Sequence, residues 1–381
     1  AMAVVSLAAF LRYMWPELTP GRELVWGPHM DVVCYGLECA VFGNVENNEL
    51  VINIPPRHLK STMVAQALPA WLWLHRPGTQ VLTISTGDRI ITQNNRAIRR
   101  CVESPRYQAL VKYARSFLAP FATIPEWELT GDQNEKRRFE NTAGGICQGL
   151  PAGADIIGIG CDLQIIDDPI DSKDVKDGSP DAIAALLYAI IDNYGSAWES
   201  RLNDPERGVR ITIMQRLAQL DLAGYLLDGI EDGTSGARRG GGTTSIVLPT
   251  EYDPDHPHPC GLDWRTEPGE LLFPQRLGAA KVAKLKATWE PSAYAAQHEQ
   301  RPVPKGGTMF DAGAWSHYDS HPKEMARHVR DAGGVVFSSW DVANKVGVRN
   351  AYTVGFVLGY VPADDPDVNG DLYVLDRYRA Q

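Results

Sequence analysis

The sequence has few cysteines, and none of them follows a metal-binding pattern. Its 381 residues contain six, at positions 34, 39, 101, 147, 161 and 260, and no two form a C-x-x-C pair. This spacing excludes the common structural zinc sites and favours reduced thiols of a cytosolic protein, mostly in the core. Uninterrupted apolar runs are also short, since none reaches the roughly 18 residues of a membrane span. We therefore expect no membrane association.

An excess of positive charge is missing as well. Lysine and arginine total 37 against 47 acidic residues, which is a formal net charge of −10. This balance argues against a nonspecific coat of nucleic acid, although it leaves room for a local basic face. Three basic clusters are present, at Arg96 with Arg99 and Arg100, at 136–138 and at 238–239. For each cluster, a solvated surface and a contact with a polyanion both stay open.

Short buried-looking strands alternate with helical stretches through the first 250 residues. We predict strands over 50–54, 80–86, 163–168, 210–214 and 246–249, and long helices over 181–202 and 277–300. The alternation is typical of an α/β protein with a mostly parallel sheet. Residues 231–245 are rich in glycine and small polar residues, which predicts a mobile loop.

The C-terminal part has a different pattern. Three apolar segments, 335–343, 351–361 and 371–379, follow one another with turns between them and predict an antiparallel meander. A chain of this length is expected to form two domains. We predict one domain over 1–302, a linker over 303–334, and the start of a second α/β domain over 335–381.

The stretch INIPPRHLKST, residues 52–62, has the layout of a phosphate-binding loop. An apolar strand leads into a turn, then into Lys60 and Ser61, and then into an apolar helical run. Backbone amides at a helix start and a lysine suit the phosphates of a nucleotide, and a hydroxyl suits Mg²⁺. One residue departs from the pattern, because Leu59 stands where a glycine usually precedes the lysine. The residues predicted to contact ATP are Pro56, Arg57, His58, Leu59, Lys60, Ser61 and Thr62.

Two further strands end in polar residues. The strand LQIIDD ends in Asp167 and Asp168, and ligands bind at this end of the strands in open α/β sheets. Asp167 is therefore predicted to hold Mg²⁺ through its water shell, and Asp168 to polarise the attacking water. The alternative is a strand followed by an Asp-Pro turn. The strand TIM is followed by Gln215 and Arg216, which are either sensors of a γ-phosphate or surface residues after a core strand.

These motifs stand in an order that resembles the large terminase subunit of tailed bacteriophages. The order is PPRHLKS, AGGICQGLPAGADIIGIGCDLQIIDDPI, WESRLNDPERGVRITIMQRLAQLDLAGYLL, LPTEYDP, QRPVPKGGTMF and SSWDVA, and it spans nearly the whole chain. The resemblance implies a P-loop ATPase domain of the ASCE type, followed by the start of an RNase H-like nuclease domain. In the family, ATP drives double-stranded viral DNA into a procapsid, and a metal-dependent endonuclease cuts the concatemer.

The resemblance also implies cofactors and partners. The cofactors are ATP and Mg²⁺, with Mg²⁺ or Mn²⁺ at the nuclease site if that site is complete. The partners are double-stranded DNA, the portal protein, the small terminase subunit and further copies of the chain in a ring on the procapsid. The implied location is the host cytoplasm, with a transient stay at the portal.

Several arginines gain roles from the same resemblance. Some members of the family dispense with the glycine before the lysine, so Leu59 is compatible with phosphate binding if it points away from the phosphate. Arg57 then either contacts the γ-phosphate of the ATP bound to its own subunit or forms a salt bridge that shapes the loop. MQR resembles the motif that couples hydrolysis to movement. Candidates for a finger donated by a neighbouring subunit are Arg99, Arg100, Arg137, Arg138 and Arg201.

The nuclease assignment depends on the segment SSWDVA, which resembles the first strand of an RNase H-like domain. It implies that Asp341 is a catalytic metal ligand, and Asp376 at the end of YVLD is a second candidate ligand. Such enzymes hold two metal ions roughly 4 Å apart with several carboxylates. The sequence stops at Gln381 before further acids, and Ala351 stands where relatives often carry aspartate. We therefore expect little or no nuclease activity from this chain.

Two other functions stay open at this stage. A helicase-like P-loop ATPase would explain PPRHLKST and IIDDP, but not QRPVPKGGTMF followed by SSWDVA. A docking component that binds nucleotide without autonomous turnover would explain the loop without requiring hydrolysis. DNA-stimulated turnover separates the motor from the docking component, and strand separation would favour the helicase.

Overall fold

Two units make up the chain, and each contains a sheet of its own. The computed structural model describes residues 1–131, 135–156, 158–231, 238–256, 261–303, 316–342, 353–363 and 370–380. One unit consists of residues 1–229 and 240–305, and the other of residues 230–239 and 306–381. The strands are β1 Glu49–Asn53, β2 Gln80–Ser85, β3 Arg138–Glu140, β4 Ile146–Pro151, β5 Leu163–Asp167, β6 Val209–Met214, β7 Ile230–Glu231, β8 Arg238–Arg239, β9 Ser245–Val247, β10 Val335–Asp341, β11 Thr353–Val361 and β12 Asp371–Ala380.

Most helices begin at a residue suited to a helix N-terminus. The α-helices are α1 Met2–Val5, α2 Leu7–Leu18, α3 Pro28–Val41, α4 Leu68–Leu72, α5 Asp88–Glu103, α6 Pro105–Leu118, α7 Ser172–Asp177, α8 Pro180–Asn193, α9 Leu222–Asp228, α10 Ala279–Thr288, α11 Pro291–Gln297 and α12 Pro322–Asp331. Five of them open with proline, whose missing N–H costs nothing in the first turn. Serine side chains cap α2, α6 and α8, where Ser6, Ser104 and Ser179 each accept a backbone N–H of the first turn.

A seven-stranded sheet forms the centre of the first unit. Its order is β3–β4–β2–β5–β6–β1–β9, and all neighbouring strands are parallel except the edge pair β3–β4. Every residue of β5 and β6 is buried, as expected for strands covered by helices on both faces. The predicted α/β class with a mostly parallel sheet is confirmed. In this order, β6 lies between β1 and β5.

Strand β4 was not predicted from the sequence, because it lies within the glycine-rich segment TAGGICQGLPAG. It pairs with β2 along its whole length. Gly149 lies against Ile91 of α5, where a side chain would overlap the isoleucine. The glycine that argues against a strand in the sequence is therefore the residue that lets α5 pack closely on the sheet.

One predicted helix is interrupted, and part of the predicted loop forms strands. The predicted helix over 181–202 is confirmed as one helical stretch, made of α8, the π-helical turn Tyr194–Trp198 and the 3₁₀ turn Glu199–Arg201. The stretch 277–300 contains two helices, because Pro291 cannot continue α10 and starts α11 instead. Within 231–245, β8 pairs antiparallel with β7 and β9 joins the main sheet. Residues 232–237 lie outside the described residues.

The second unit contains the predicted meander. Strands β10, β11 and β12 form a three-stranded antiparallel sheet in chain order, which confirms the prediction. Its assignment to an RNase H-like domain stays a prediction. Residues 343–352 between the first two strands, with Ala351 among them, and Gln381 lie outside the described residues.

Part of the predicted linker is a packed helix. Helix α12 occupies 322–331, within the segment assigned to the linker, and its Val329 is fully buried. A side chain at Gly359 of β11 would contact Val329, so the helix lies on the sheet at this point. The structure therefore differs from the predicted boundary, because the buried Val329 packs this short, mostly polar helix on the sheet. Residues 304–315 of the linker lie outside the described residues.

The structure also describes the cysteines and the apolar content of the helices. The cysteines among the described residues are free, and all of them except the half-buried Cys39 are buried. Cys260 lies outside the described residues. No helix among the described residues is long and apolar enough to cross a membrane.

The turn before β4 depends on a glycine. The Asn141 side chain accepts the Gly145 N–H at 3.0 Å and donates to the Pro77 carbonyl at 2.8 Å. A Cβ at Gly145 would overlap that same carbonyl oxygen of Pro77. Backbone atoms cannot move aside as a flexible side chain can, so this position requires glycine.

We expect Gly145→Ala to lower the free energy of unfolding by about 1–3 kcal/mol, the range for overpacking a filled site. Gly153→Ala is the matched control, because nothing lies within 4 Å of the added methyl group there. Urea unfolding of both variants measures the difference. Equal stabilities would contradict the close approach between residues 77 and 145.

Candidate nucleotide-binding site

Three neighbouring strands end at one edge of the main sheet, and the predicted site residues follow them. Strand β6 lies between β1 and β5, with Met214 opposite Asn53 and Ile213 opposite Asp167. Because the strands are parallel, their carboxyl ends face the same side. The loop after β1, the two aspartates of β5 and Gln215 after β6 are therefore brought together by the strand order.

The loop between β1 and the following helix has a conformation that glycine usually supplies. Leu59 has φ of 66° and Arg57 has φ of 68°, both in the left-handed region that most residues avoid. Leu59 thus takes up the backbone conformation open to the glycine it replaces. Its side chain is half-buried and packs against the hydrophobic core. That it points away from a bound phosphate stays a prediction.

The helix after the loop begins at Lys60 and continues through Ser61 into a π-helical segment, Thr62–Ala67. Such widened turns in helices are frequent at functional sites. Its first amides are free to bind an anion, as at any helix N-terminus. Within the loop, Pro56 and Thr62 are half-buried and Arg57 is exposed.

Lys60 is the centre of the polar cluster. Its Nζ lies 3.2 Å from Oδ2 and 3.3 Å from Oδ1 of Asp168, and 3.5 Å from Oε1 of Gln215. The Gln215 backbone N–H donates to Asp168 Oδ1 at 3.1 Å. The Lys60 side chain is 7% exposed and the Asp168 side chain 29%, so the lysine is buried and the carboxylate is partly open to solvent. The three residues predicted for phosphate and water chemistry are in direct contact.

Asp167 is a buried carboxylate at the end of β5. It is 1% exposed, and neither carboxylate oxygen has a partner among the described residues. Burial, reinforced by the neighbouring Asp168 carboxylate, raises the pKa of Asp167 to about 7. Ser61, Lys60 and Asn94 lie close enough to oppose this rise in pKa. A buried carboxylate that lacks hydrogen-bond partners in the protein is usually explained by a bound cation or water molecule.

The donor set at this edge fits Mg²⁺ that is bound together with a nucleotide. Mg²⁺ is typically held by one or two carboxylates, water and substrate phosphates. Asp167 and the nearby Ser61 hydroxyl supply the protein part of such a set. The described residues contain no group of three or more His, Cys, Asp and Glu side chains that could hold a metal by themselves. The remaining ligands would therefore have to come from phosphate and water.

Sequence reasoning missed a group of buried polar residues around Asp167. They are Asn53 at the end of β1, Gln66 in the helix after the loop, Ser85 at the end of β2, and Asn94 in α5. Gln66 donates to Asn94 at 2.8 Å, while the Ser85 hydroxyl has no partner among the described residues. Ser85 lies opposite Asp167 in the sheet. The only signal in the sequence was polar residues on the apolar face of α5.

Arg216 is directed away from this cluster. Its Nε donates to Asp221 at 2.9 Å, and its Nη2 donates to the carbonyls of Ala218 and Gln219. Asp221 in turn caps α9 by accepting the Gly224 N–H. The guanidinium therefore holds the turn before α9 together. Of the two residues after β6, Gln215 contacts Lys60 and Arg216 does not.

The buried His58 side chain packs beneath the loop's backbone and contacts it at Pro56. It is 2% exposed, its Nδ1 lies 2.9 Å from the Pro56 carbonyl, and its ring packs edge-on against His29 with centroids 5.4 Å apart. The Phe273 ring touches both histidines. Burial lowers the pKa of His58 to about 4 and that of His29 to about 3. Both rings are therefore neutral at pH 7, and they form an apolar support for the loop.

The candidates for a finger donated to a neighbouring subunit are mostly engaged within the chain. Arg100 donates to the carbonyls of Glu17 and Leu18. The other engaged candidates are Arg137 with Asp88, Arg138 with Glu140, and Arg201 with the Ile156 carbonyl. Arg99 has no ion pair with any described residue. Its role, like that of the others, stays a prediction.

The two carboxylates predicted for the nuclease site do not come together. Asp341 lies opposite Val354 of β11, and Asp376 lies opposite Val357. Opposite residues share a face and successive residues alternate, so the three-residue offset places the two aspartates on opposite faces. They cannot hold a pair of ions roughly 4 Å apart in this arrangement. The pairing of β11 with β12 is regular from Val354 to Val357, and the register shifts only beyond Val357.

Comparison with known proteins relies on structure, since no family model and no curated protein matches the sequence. The crystal structure of the HK97 bacteriophage large terminase is similar at a TM-score of 0.42 and 13% identity, covering 99% of this chain and 67% of that one. A mutant ATPase domain of the Thermus phage P74-26 large terminase is similar at a TM-score of 0.38 and 13% identity, covering 76% and 98%. Both are large terminases of bacteriophages.

The left-handed conformation of Leu59 can be tested by comparing two truncations. Leu59→Gly and Leu59→Ala both remove the packed side chain, but only glycine adopts positive φ without strain. We expect the glycine variant to be more stable than the alanine variant by about 1 kcal/mol in urea unfolding. An alanine variant of equal or higher stability would show that the loop has another conformation.

The buried histidine pair predicts a pH dependence of stability. Because His29 stays neutral in the folded chain but binds a proton in the unfolded chain below about pH 6.5, it destabilises the fold as pH falls. His29→Phe removes this effect. We expect the variant's stability relative to wild type to rise by about 1–2 kcal/mol between pH 7 and about pH 5.

Urea unfolding across this pH range measures the difference, and the exposed His317→Phe is the control. A flat difference for His29→Phe would mean that His29 is protonated in the folded chain.

Proposed function

We propose that this chain is a Mg²⁺-dependent ATPase that acts as the motor of viral DNA packaging. The observation that supports ATP chemistry is the cluster of Lys60, Asp168 and Gln215 beside the orphaned Asp167 carboxylate. A lysine at a helix start, a free carboxylate and a hydroxyl are the groups that phosphoryl transfer requires. The choice of DNA packaging over other ATP-driven functions is supported by the ordered motifs of the sequence.

In the proposed mechanism, ATP competes with Asp168 for Lys60. The lysine is held by Asp168 and Gln215 in the absence of nucleotide, and it turns to the β- and γ-phosphates when ATP binds. Asp168 is then free to orient the attacking water, while Gln215 senses the γ-phosphate and the exposed Arg57 adds positive charge there. This exchange links the occupancy of the loop directly to the availability of the water-orienting carboxylate.

Ser61 and Asp167 are the residues proposed to hold Mg²⁺. When bound, the ion supplies positive charge that stabilises the phosphate oxygens as the bond to the leaving group breaks. The bound cation would also keep Asp167 ionised, since it supplies the counter-charge that the buried site lacks. Without a cation, burial disfavours the ionised form of Asp167, so ionising this carboxylate costs free energy until a counter-charge is bound.

The proposed partners are those implied by the sequence. They are double-stranded DNA, the portal protein, the small terminase subunit and further copies of the chain in a ring, in the cytoplasm of the infected cell. We do not propose nuclease activity for Asp341 and Asp376, because these residues lie on opposite faces of their sheet.

Steady-state ATP hydrolysis with and without double-stranded DNA tests the proposal. We expect DNA to stimulate turnover, and Lys60→Ala to reduce it by at least about 100-fold, as for removal of a main charge-stabilising group. Asp168→Asn should keep ATP binding but lose hydrolysis, because an amide cannot polarise the water in the same way. Lys284→Ala, an exposed lysine of α10 in the same unit, is the control.

Each outcome has a distinct meaning for the proposal. Unchanged turnover in Lys60→Ala or Asp168→Asn would remove that residue from its role. A wild-type chain that binds ATP tightly with Mg²⁺ but never hydrolyses it would replace the motor by a nucleotide-dependent docking component. Turnover that DNA does not stimulate would argue against a DNA motor.

A further inference from the structure

A basic groove opens beside the phosphate loop, within the first unit. It is a cavity of about 940 Å³ bounded by the end of α2, the loop after β1, and one face of α5. Seven cationic side chains line it: Arg22, Arg57, Arg89, Arg96, Arg100, Lys136 and Arg276. The acidic residues in its lining are Glu23 and Asp88. We call this cavity the basic groove.

Most of its positive charge is not neutralised within the chain. Arg100 donates to two backbone carbonyls, which satisfies its N–H groups but leaves its charge. The other six cations form no ion pair with any described residue. Asp88 is already paired with Arg137, just outside the lining. One unpaired carboxylate, Glu23, therefore faces seven positive charges.

Such a concentration of one charge is unfavourable unless a ligand of opposite charge offsets it. The chain as a whole carries a net charge of −10, so the groove is a positive region on an acidic protein. A cleft lined by charges of one sign focuses its field and raises the local concentration of a counter-charged ligand. The ligand that fits is a polyanion.

The arrangement along α5 indicates how long that polyanion is. Arg89, Arg96 and Arg100 lie seven and four residues apart, which places them on one helix face. Seven residues of helix span about 10 Å, and one strand of DNA carries a phosphate per about 3.4 Å of helix axis. Arg89 and Arg96 thus match phosphates about three steps apart. The charge of a single nucleotide does not need seven cations in addition to Lys60.

We propose that the basic groove binds the sugar-phosphate backbone of DNA. The choice of DNA as the polyanion rests on the proposed function, whereas the charge and shape of the groove do not. Arg57 lies both in the phosphate loop and in the groove lining, so it connects the ATP site to the bound DNA. This placement offers a direct route by which DNA raises the rate of hydrolysis.

The test is the binding of a fluorescein-labelled duplex of about 30 base pairs in the absence of nucleotide, followed by anisotropy. We expect Arg89→Glu/Arg96→Glu to weaken binding at least 10-fold and to reduce the slope of log affinity against log salt by about 2. Lys281→Glu/Lys284→Glu on α10 makes the same charge change away from the groove and is the matched control. It should change the affinity less than twofold, and circular dichroism confirms that both variants are folded.

Three outcomes would overturn the proposal. Equal weakening in the two double variants would show that only net charge matters, and unchanged binding in both would exclude the groove. A groove variant that keeps DNA binding but no longer binds a fluorescent ATP analogue with Mg²⁺ would assign the groove to the nucleotide.

Lys60→Ala separates this proposal from the ATPase assignment. The groove proposal is supported if Lys60→Ala binds the duplex as tightly as wild type and only the groove variant binds it more weakly. This result would hold whether or not the wild type hydrolyses ATP. A wild type that hydrolyses ATP through Lys60 but binds no duplex would overturn the groove and leave the ATPase intact.

Discussion

The ion pair between Lys60 and Asp168 joins two segments 108 residues apart in the chain, and the candidate site is built around it. It forms because β6 is inserted between β1 and β5, which places the ends of all three strands at one edge. Gln215, at the end of β6, contacts both partners through its backbone N–H and its side chain. The surrounding strands are buried, so the attraction acts in a medium of lower dielectric constant than water.

Backbone strain is concentrated at the same edge. Arg57, Leu59 and Asp168 are non-glycine residues with positive φ, a conformation that costs of order 1–3 kcal/mol each. Each is fixed by a neighbour that offsets this cost. The loop is supported by the buried His58 and by packing of Leu59, and Asp168 donates its N–H to the Ile213 carbonyl at 2.9 Å. Strain that persists in this way is typical of functional sites, since relaxed turns would place the side chains elsewhere.

Charge is distributed unevenly over the protein. A net charge of −10 suggests a surface that repels nucleic acid, yet the basic groove gathers seven cations beside the loop. Residues of the basic clusters in the sequence differ in whether the fold places an acidic residue beside them. Arg137 and Arg138 are neutralised by nearby acids, whereas Arg96 and Lys136 from different clusters line the same cavity. Association with a polyanion is therefore governed by local rather than total charge.

The sequence by itself determined the features that depend on a few adjacent residues. The loop at 52–62 and the carboxylates after β5 could be predicted because an apolar strand followed by a charged turn is a local pattern. Helix α12 carried its own signals, a proline at its start and basic residues in its last turn, but the linker-like surroundings obscured them. Strand β4 was missed because local propensity counts its glycines against it, while the close approach of α5 requires one of them.

Only the tertiary structure decided which of these pieces meet. Nothing near Arg216 in the sequence indicates that Asp221, rather than a phosphate, holds its guanidinium. The polar shell of Ser85, Gln66 and Asn94 comes from three elements whose contact depends on strand order. Asp376 lies on the opposite face from Asp341 because their partners in β11, Val354 and Val357, are three residues apart. Such outcomes arise from packing between distant segments, which no local pattern encodes.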